Sequence, residues 1–137
     1  MADQPFDTAR SADAATVTAP DGAIVHPLLV LDGAGSMAVF ELAPGEVTRA
    51  VSHATVQELW HVTGGRGLLW RRQAEREETV RLHPGTVVSV PLGTVFQFRA
   101  DADAAEALRI VAVTMPPWPG DPEEARPEDG PWPPTVA

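Results

Sequence analysis

Two side chains in this sequence suit proton transfer or metal binding and lie close together. They are His53 and Glu58, five residues apart in the glycine-bounded stretch Gly45 to Gly65. An imidazole titrates near neutrality and a carboxylate below it, so the two side by side can divide acid and base roles. The same residue types also ligate divalent cations. His61 is a further candidate ligand, but strand alternation sets it on the opposite face from Glu58 unless a bulge intervenes. His26 and His83 each precede a proline and read as turn or surface histidines. Other chemistries are excluded by composition. No cysteine is present, which removes disulfides, thiolate zinc sites and cysteine nucleophiles. All ten basic residues are arginine, so neither a Schiff-base lysine nor a P-loop lysine exists.

The elements that must position this pair are short strands. Within 137 residues, enough for one domain with its own core, apolar runs recur at intervals near ten residues between Gly and Pro turns. Ile24 to Leu31, interrupted by Pro27, suits an edge strand. A period-two segment follows at Met37 to Leu42. Further strands are expected at Val47 to His53, Val56 to Thr63, Thr86 to Val90, Thr94 to Arg99 and Leu108 to Met115. Leu68 to Arg72 and Glu78 to Leu82 read as a hairpin around the polar tip Gln73 to Glu77. No segment holds helical periodicity for two turns, so the pattern predicts an all-β sandwich or barrel.

Residues 1–20, rich in Ala, Asp and Thr, are expected as a flexible N-terminal arm, with the barrel over 21–115. Residues 116–137 hold eight of the fourteen prolines, with Trp118 and Trp132. Repeated proline favours extended segments, and two indole rings are costly to leave in water. This tail is expected to pack on the barrel or on a partner subunit. The net charge of −9 argues against nucleic-acid binding. The arginines between positions 66 and 81 read as a solvated hairpin balanced by Glu75, Glu77 and Glu78. No apolar run reaches the ~18 residues of a membrane helix, and the start lacks a signal-peptide pattern, so a cytoplasmic protein is expected.

The spacing of the Gly/Pro landmarks resembles the paired motifs of the cupin superfamily. The first motif runs glycine, five residues, His-x-His, three or four residues, glutamate, six residues, glycine. Here Gly45, Val51-Ser52-His53, Glu58 and Gly65 occupy those places. The second runs glycine, five residues, Pro-x-Gly, two residues, histidine, three residues, asparagine; here stand Gly85, Pro91-Leu92-Gly93, Phe96 and Ala100. The resemblance spans about residues 30 to 115 and implies a cupin-type double-stranded β-helix, a jelly-roll-like barrel. In the family three histidines and the glutamate usually bind a divalent metal. This chain keeps His53 and Glu58 but sets Val51 and Phe96 at the other two ligand positions.

On that fold Glu58 points inward, and alternation turns Trp60, Val62, Phe96 and Phe98 inward beside it. The implied site is an aromatic cavity with His53 and Glu58 as its polar pair, the usual make-up of a small-molecule pocket. Val51, Trp60, Val62, Trp70, Arg72, Phe96, Phe98 and Arg109 are the candidate substrate contacts, with Arg72 or Arg109 available to an anionic substrate. The leading expectation is a metal-independent isomerase, epimerase or cyclase acting on a small organic molecule, with no cofactor. A non-catalytic ligand-binding cupin stands as one alternative. A metal-dependent enzyme such as a dioxygenase, using His53 and Glu58 and less readily His61, is the other. Open barrels leave sheet edges that need cover, so a homodimer is expected, with Ile24 to Leu31 and the Trp-bearing tail crossing to the partner.

Overall fold

A computed structural model describes residues 3–136. Eleven strands among the described residues make two antiparallel sheets. The first sheet holds β1 (Val17–Thr18), β2 (Ile24–Leu31), β3 (Gly35–Leu42), β10 (Leu108–Met115), β5 (Gln57–Gly64) and β8 (Val87–Val90), in that spatial order. The second holds β11 (Ala125–Pro127), β4 (Val51–His53), β9 (Val95–Ala100), β6 (Gly67–Gln73) and β7 (Arg76–Leu82). This is the cupin-type jelly-roll barrel. Two 3-10 turns, Ser11–Asp13 and Pro122–Glu124, are the helical content among the described residues, and none of these is long and apolar enough to cross a membrane.

Sequence alternation explains which face each central strand buries. Along β5 exposure alternates at every residue, with Glu58, Trp60 and Val62 inward and Gln57, Leu59 and His61 outward. Its neighbour β10 turns Leu108, Ile110, Ala112 and Thr114 inward and pairs with β3 on one side and β5 on the other. Phe96 and Phe98 face the same interior from β9. Trp60 is the hub of the core. Its ring meets Phe40, Phe96 and Phe98 edge-on, with centroids 5.7, 5.7 and 5.0 Å away. Such edge-to-face contacts each contribute about 0.5–1.5 kcal/mol beyond area burial.

Gly65 closes the first motif for a steric reason. It sits at φ +72°, and an added Cβ would lie 2.4 Å from the Ala107 carbonyl oxygen. The return from β5 to β6 therefore admits no side chain at this position. The β6–β7 hairpin is tighter than the expected five-residue tip. Pairing continues to Gln73↔Arg76, leaving a two-residue turn with Ala74 at φ +47°.

The stretches flanking the barrel lie on it and extend it past both expected bounds, 21 and 115. Residues expected as a loose arm add β1 to the edge of β2, covering only Ile24 and Val25. Farther along that edge, beyond Pro27, the Gln4 carboxamide donates to the Val30 carbonyl and accepts from the Asp32 amide, both at 2.7 Å. A side-chain amide thus meets strand-edge groups that no neighbouring strand pairs. The proline-rich tail runs back over its own chain. Ala125, Arg126 and Pro127 pair with His53, Ser52 and Val51. Trp132 then lies under the Arg99 guanidinium at 4.7 Å and exchanges backbone bonds with the Gln97 carboxamide. The tail thus pairs with the β4 edge, and β1 with two residues of the β2 edge, within one chain.

Candidate functional site

Between β2, β3, the 17–23 segment and the tail lies a cavity of about 540 Å³. Its walls are mostly hydrocarbon and aromatic, including Leu28, Phe40, Phe96 and Trp118. His53 and Glu58 stand together on it, brought from β4 and β5. His53 is fixed by strand pairing on one side, opposite Ala125, and by two rings packed edge-on, Phe96 and Trp118, each 5.2 Å away. Glu58 is 3% exposed, and its Oε1 accepts a hydrogen bond from the Trp60 indole at 2.8 Å.

The two functional groups meet at 3.1 Å, His53 Nδ1 to Glu58 Oε2. The pair is close but not aligned. Nδ1 is the one buried side-chain polar atom among the described residues without a properly directed hydrogen bond. Catalytic pairs are often looser than their working geometry until substrate closes on them.

Burial sets the charge state. Glu58 is pushed up to about 8 by its removal from water; the Trp60 hydrogen bond pulls the other way, and the Asp21 and Glu124 carboxylates add to the rise. His53 is driven down to about 4 by burial, against the opposing pull of the Glu124 carboxylate. At neutral pH both partners are therefore uncharged: a carboxylic acid beside a neutral imidazole.

Two further carboxylates frame the pair. Asp21 lines the cavity with its Oδ1 accepting from the Ala23 amide at 3.0 Å. Burial lifts it to about 6, against that amide bond and the positive charge of Arg49. Glu124, 4% exposed, accepts from the Thr55 amide at 2.8 Å and from the Thr55 hydroxyl, and so ties the tail to the β4–β5 turn. Burial pushes its carboxyl up, but the Thr55 bonds, the Ala54 amide and nearby His53 outweigh that and hold it below the ordinary value.

The candidates named from sequence divide into three groups. Val51, His53, Glu58 and Phe96 line the cavity. Trp60, Val62 and Phe98 face inward but belong to the packed core behind it, not to its wall. Trp70, Arg72 and Arg109 lie elsewhere, which corrects their assignment as substrate contacts. On β6 it is Leu69 that turns to the core; Trp70, on the other face, donates to Glu77 at 2.7 Å and lies under Arg72 at 5.4 Å. Arg109 precedes inward Ile110, so it points outward and pairs with Glu41. His61 is likewise outward on β5.

The donors do not fit the family's divalent ion. His53 and Glu58 face one another, Val51 and Phe96 offer hydrocarbon from register-paired positions, and no cluster of three His, Cys, Asp or Glu among the described residues is placed to share an ion. Sequence reasoning missed Asp21, Asp121 and Glu124. They reach the site from the flanking segments, and an Asp-Gly turn or an Asp-Pro-Glu run carries no signal of a distant partner.

Comparison with known proteins agrees with this architecture. The cupin-domain family profile matches residues 38–114. No curated protein sequence matches the chain. Among solved structures, Pac13 from Streptomyces, a nucleoside dehydratase, superposes in its complex with uridine with a TM-score of 0.69 at 12% identity. The match covers 91% of this chain and 92% of that one. CapF of Staphylococcus aureus, a capsular polysaccharide assembling protein, superposes with a TM-score of 0.67 at 15% identity. The match covers 82% of this chain but 33% of CapF, so the chain spans about a third of that protein's length. The cupin domain of Cnp3 from Schizosaccharomyces pombe gives 0.60 at 15% identity, covering 69% of this chain and 64% of that one. These likenesses concern the fold. With the family profile matched over more than half its length, the chain belongs to the cupin superfamily.

Proposed function

We propose that the protein is a metal-independent enzyme that moves protons on a small organic molecule held in the cavity, by isomerisation, epimerisation, cyclisation or loss of water. The observation that carries this reading is the buried His53–Glu58 pair, 3.1 Å apart on the wall of a largely apolar cavity, where burial favours the uncharged form of each. A neutral imidazole beside a protonated carboxyl is a proton relay. With Nδ1 turned toward Glu58, Nε2 is the nitrogen left for substrate. Nε2–H gives its proton to a substrate oxygen while the Glu58 proton passes to Nδ1. In a dehydration the protonated hydroxyl leaves as water. Nε2 then takes the proton from the adjacent carbon, a C=C bond forms, and Glu58 recovers its proton from Nδ1. An isomerisation or epimerisation uses the same two transfers to form an enol, then their reverse, with the proton returned to the other carbon or the other face, and no water is lost.

Burial supports this chemistry because proton transfer is not competed by bulk water, and neither partner has to be desolvated at the moment of reaction. Similar barrels hold small organic ligands: uridine in Pac13, and 3-isopropenyl-tropolone, an inhibitor, in CapF. The test is proton NMR in deuterated water with a panel of hydroxy-ketones, aldehydes and nucleosides, following deuterium uptake at carbon and loss of water. The wild-type chain is expected to catalyse exchange or turnover in at least one class, and His53→Ala and Glu58→Gln each to lose it. Turnover that survives in both variants would overturn the proposal.

A further inference from the structure

The cavity that holds His53 and Glu58 has a charge character of its own. Its lining includes three carboxyl-bearing residues, Asp21, Glu58 and Asp121, and not one arginine, in a chain whose only cationic side chains besides histidine are arginines. The arginines that would meet an anionic substrate are on outer surfaces, Arg72 stacked on Trp70 and Arg109 paired with Glu41. Asp121 is occupied as the cap of the Pro122–Glu124 turn, accepting from the Glu123 amide. Asp21 differs. Its Oδ1 accepts a single backbone bond; the positive charge of Arg49 is felt at Asp21, but that guanidinium donates to the Pro20 carbonyl at 2.9 Å and forms no ion pair with the carboxylate. Two aromatic rings, Phe40 and Trp118, share the same wall. Rings of this kind attract a cation over their faces and do nothing for an anion. His53, whose Nδ1 faces Glu58 without a directed hydrogen bond, stands on the same wall, so its polar contacts are incomplete within the protein alone.

We propose that the cavity takes a small organic cation: an amine-bearing molecule with a hydrocarbon body, its ammonium against Asp21 and its body against the aromatic wall. The proposal rests on the reading of this cavity as a small-molecule site and names the class of molecule; it does not require that His53 and Glu58 turn the ligand over. An anion of the same shape meets the Asp21 carboxylate with no arginine on the cavity wall to offset it and is disfavoured. An alcohol of the same shape keeps the apolar contacts and loses the charge attraction.

The experiment uses three shape-matched probes, phenethylamine, 2-phenylethanol and phenylacetate, titrated into the full chain by calorimetry at neutral pH. Phenethylamine is expected to bind about tenfold more tightly than the alcohol, the ratio that one partly solvated charge pair supplies. Phenylacetate is expected to be the weakest. In Asp21→Asn, which keeps the acceptor for the Ala23 amide, the preference for the amine is expected to vanish while binding of the alcohol is unchanged. Retention of the alcohol affinity itself reports that the variant is folded. Equal or tighter binding of phenylacetate, or a preference for the amine that survives in Asp21→Asn, would overturn the inference and leave the cavity reading standing. If none of the three binds, both fall together.

Discussion

Glu58→Gln separates the electrostatic argument from every other feature of the site. The glutamine oxygen still accepts from the Trp60 indole, and its amide can donate to His53 Nδ1, so packing and hydrogen bonding are nearly kept. What disappears is a titration. In the folded chain Glu58 holds its proton up to about 8, whereas the unfolded chain releases it from 4.5 upward. The folded state therefore binds more protons in that window, and its stability falls as pH rises. His53 acts in the opposite sense, from about 4 to 6.5, where the unfolded chain is the more protonated. Asp21, lifted to about 6, has the sign of Glu58 but acts below that value. Of these three groups, Glu58 alone acts between 6.5 and 8. One and a half pH units at about 1.4 kcal/mol each give a loss of about 2 kcal/mol in the wild-type chain. Urea unfolding at stepped pH across that window reads it directly. The wild-type stability is expected to decline by about this amount, and that of Glu58→Gln to stay level. Parallel curves for the two proteins, or a wild-type chain that gains stability toward alkaline pH, would refute the reasoning.

Other expectations follow from the same structure. Val51→His with Phe96→His places two imidazoles at register-paired positions beside His53 and Glu58, and elemental analysis is expected to find one zinc or nickel per chain in the double variant. Phe98→Ala removes a ring from the Trp60 cluster and is expected to cost about 3–5 kcal/mol in denaturant unfolding. Ala74→Gly relieves a left-handed turn residue and is expected to raise stability by up to about 1 kcal/mol, seen as a higher Tm. Light scattering is expected to give a homodimer, twice the 14.6 kDa chain mass; a value near 14.6 kDa would show that the tail and β2 edge complete the barrel within one chain.

Much of the site was legible because it lies on regular strands. Gly/Pro spacing placed Glu58 and Phe96 at equivalent points of two motifs, and alternation along β5 then turned Trp60 and Val62 to the same side. The same alternation contained the signal against Arg109, since Ile110 and Ala112 on β10 are the apolar, inward set. Trp70 misled for a different reason. An indole in an apolar run reads as a substrate contact on the cavity wall, yet this one is buried on the outer face, opposite Gln97, whose carboxamide the returning tail meets at Trp132. Asp21 and Glu124 had no local signature. Their roles depend on contacts made across the fold, such as Glu124 with Thr55, 69 residues away in sequence. Inward-facing aromatics were identified, but not which of them border empty space. Trp60 and Phe98 fill the core, and Trp118, from the tail, forms the wall instead.

The central claim is that His53 and Glu58 rest as an uncharged pair. Carbon and nitrogen NMR of selectively labelled chains, titrated from acid to alkaline pH, measures this most directly. The expected result is a Glu58 carboxyl that stays protonated at neutral pH and ionises near 8, beside a His53 ring that stays neutral down to about 4. An ionised Glu58 beside a protonated His53 in mildly acidic solution would contradict it.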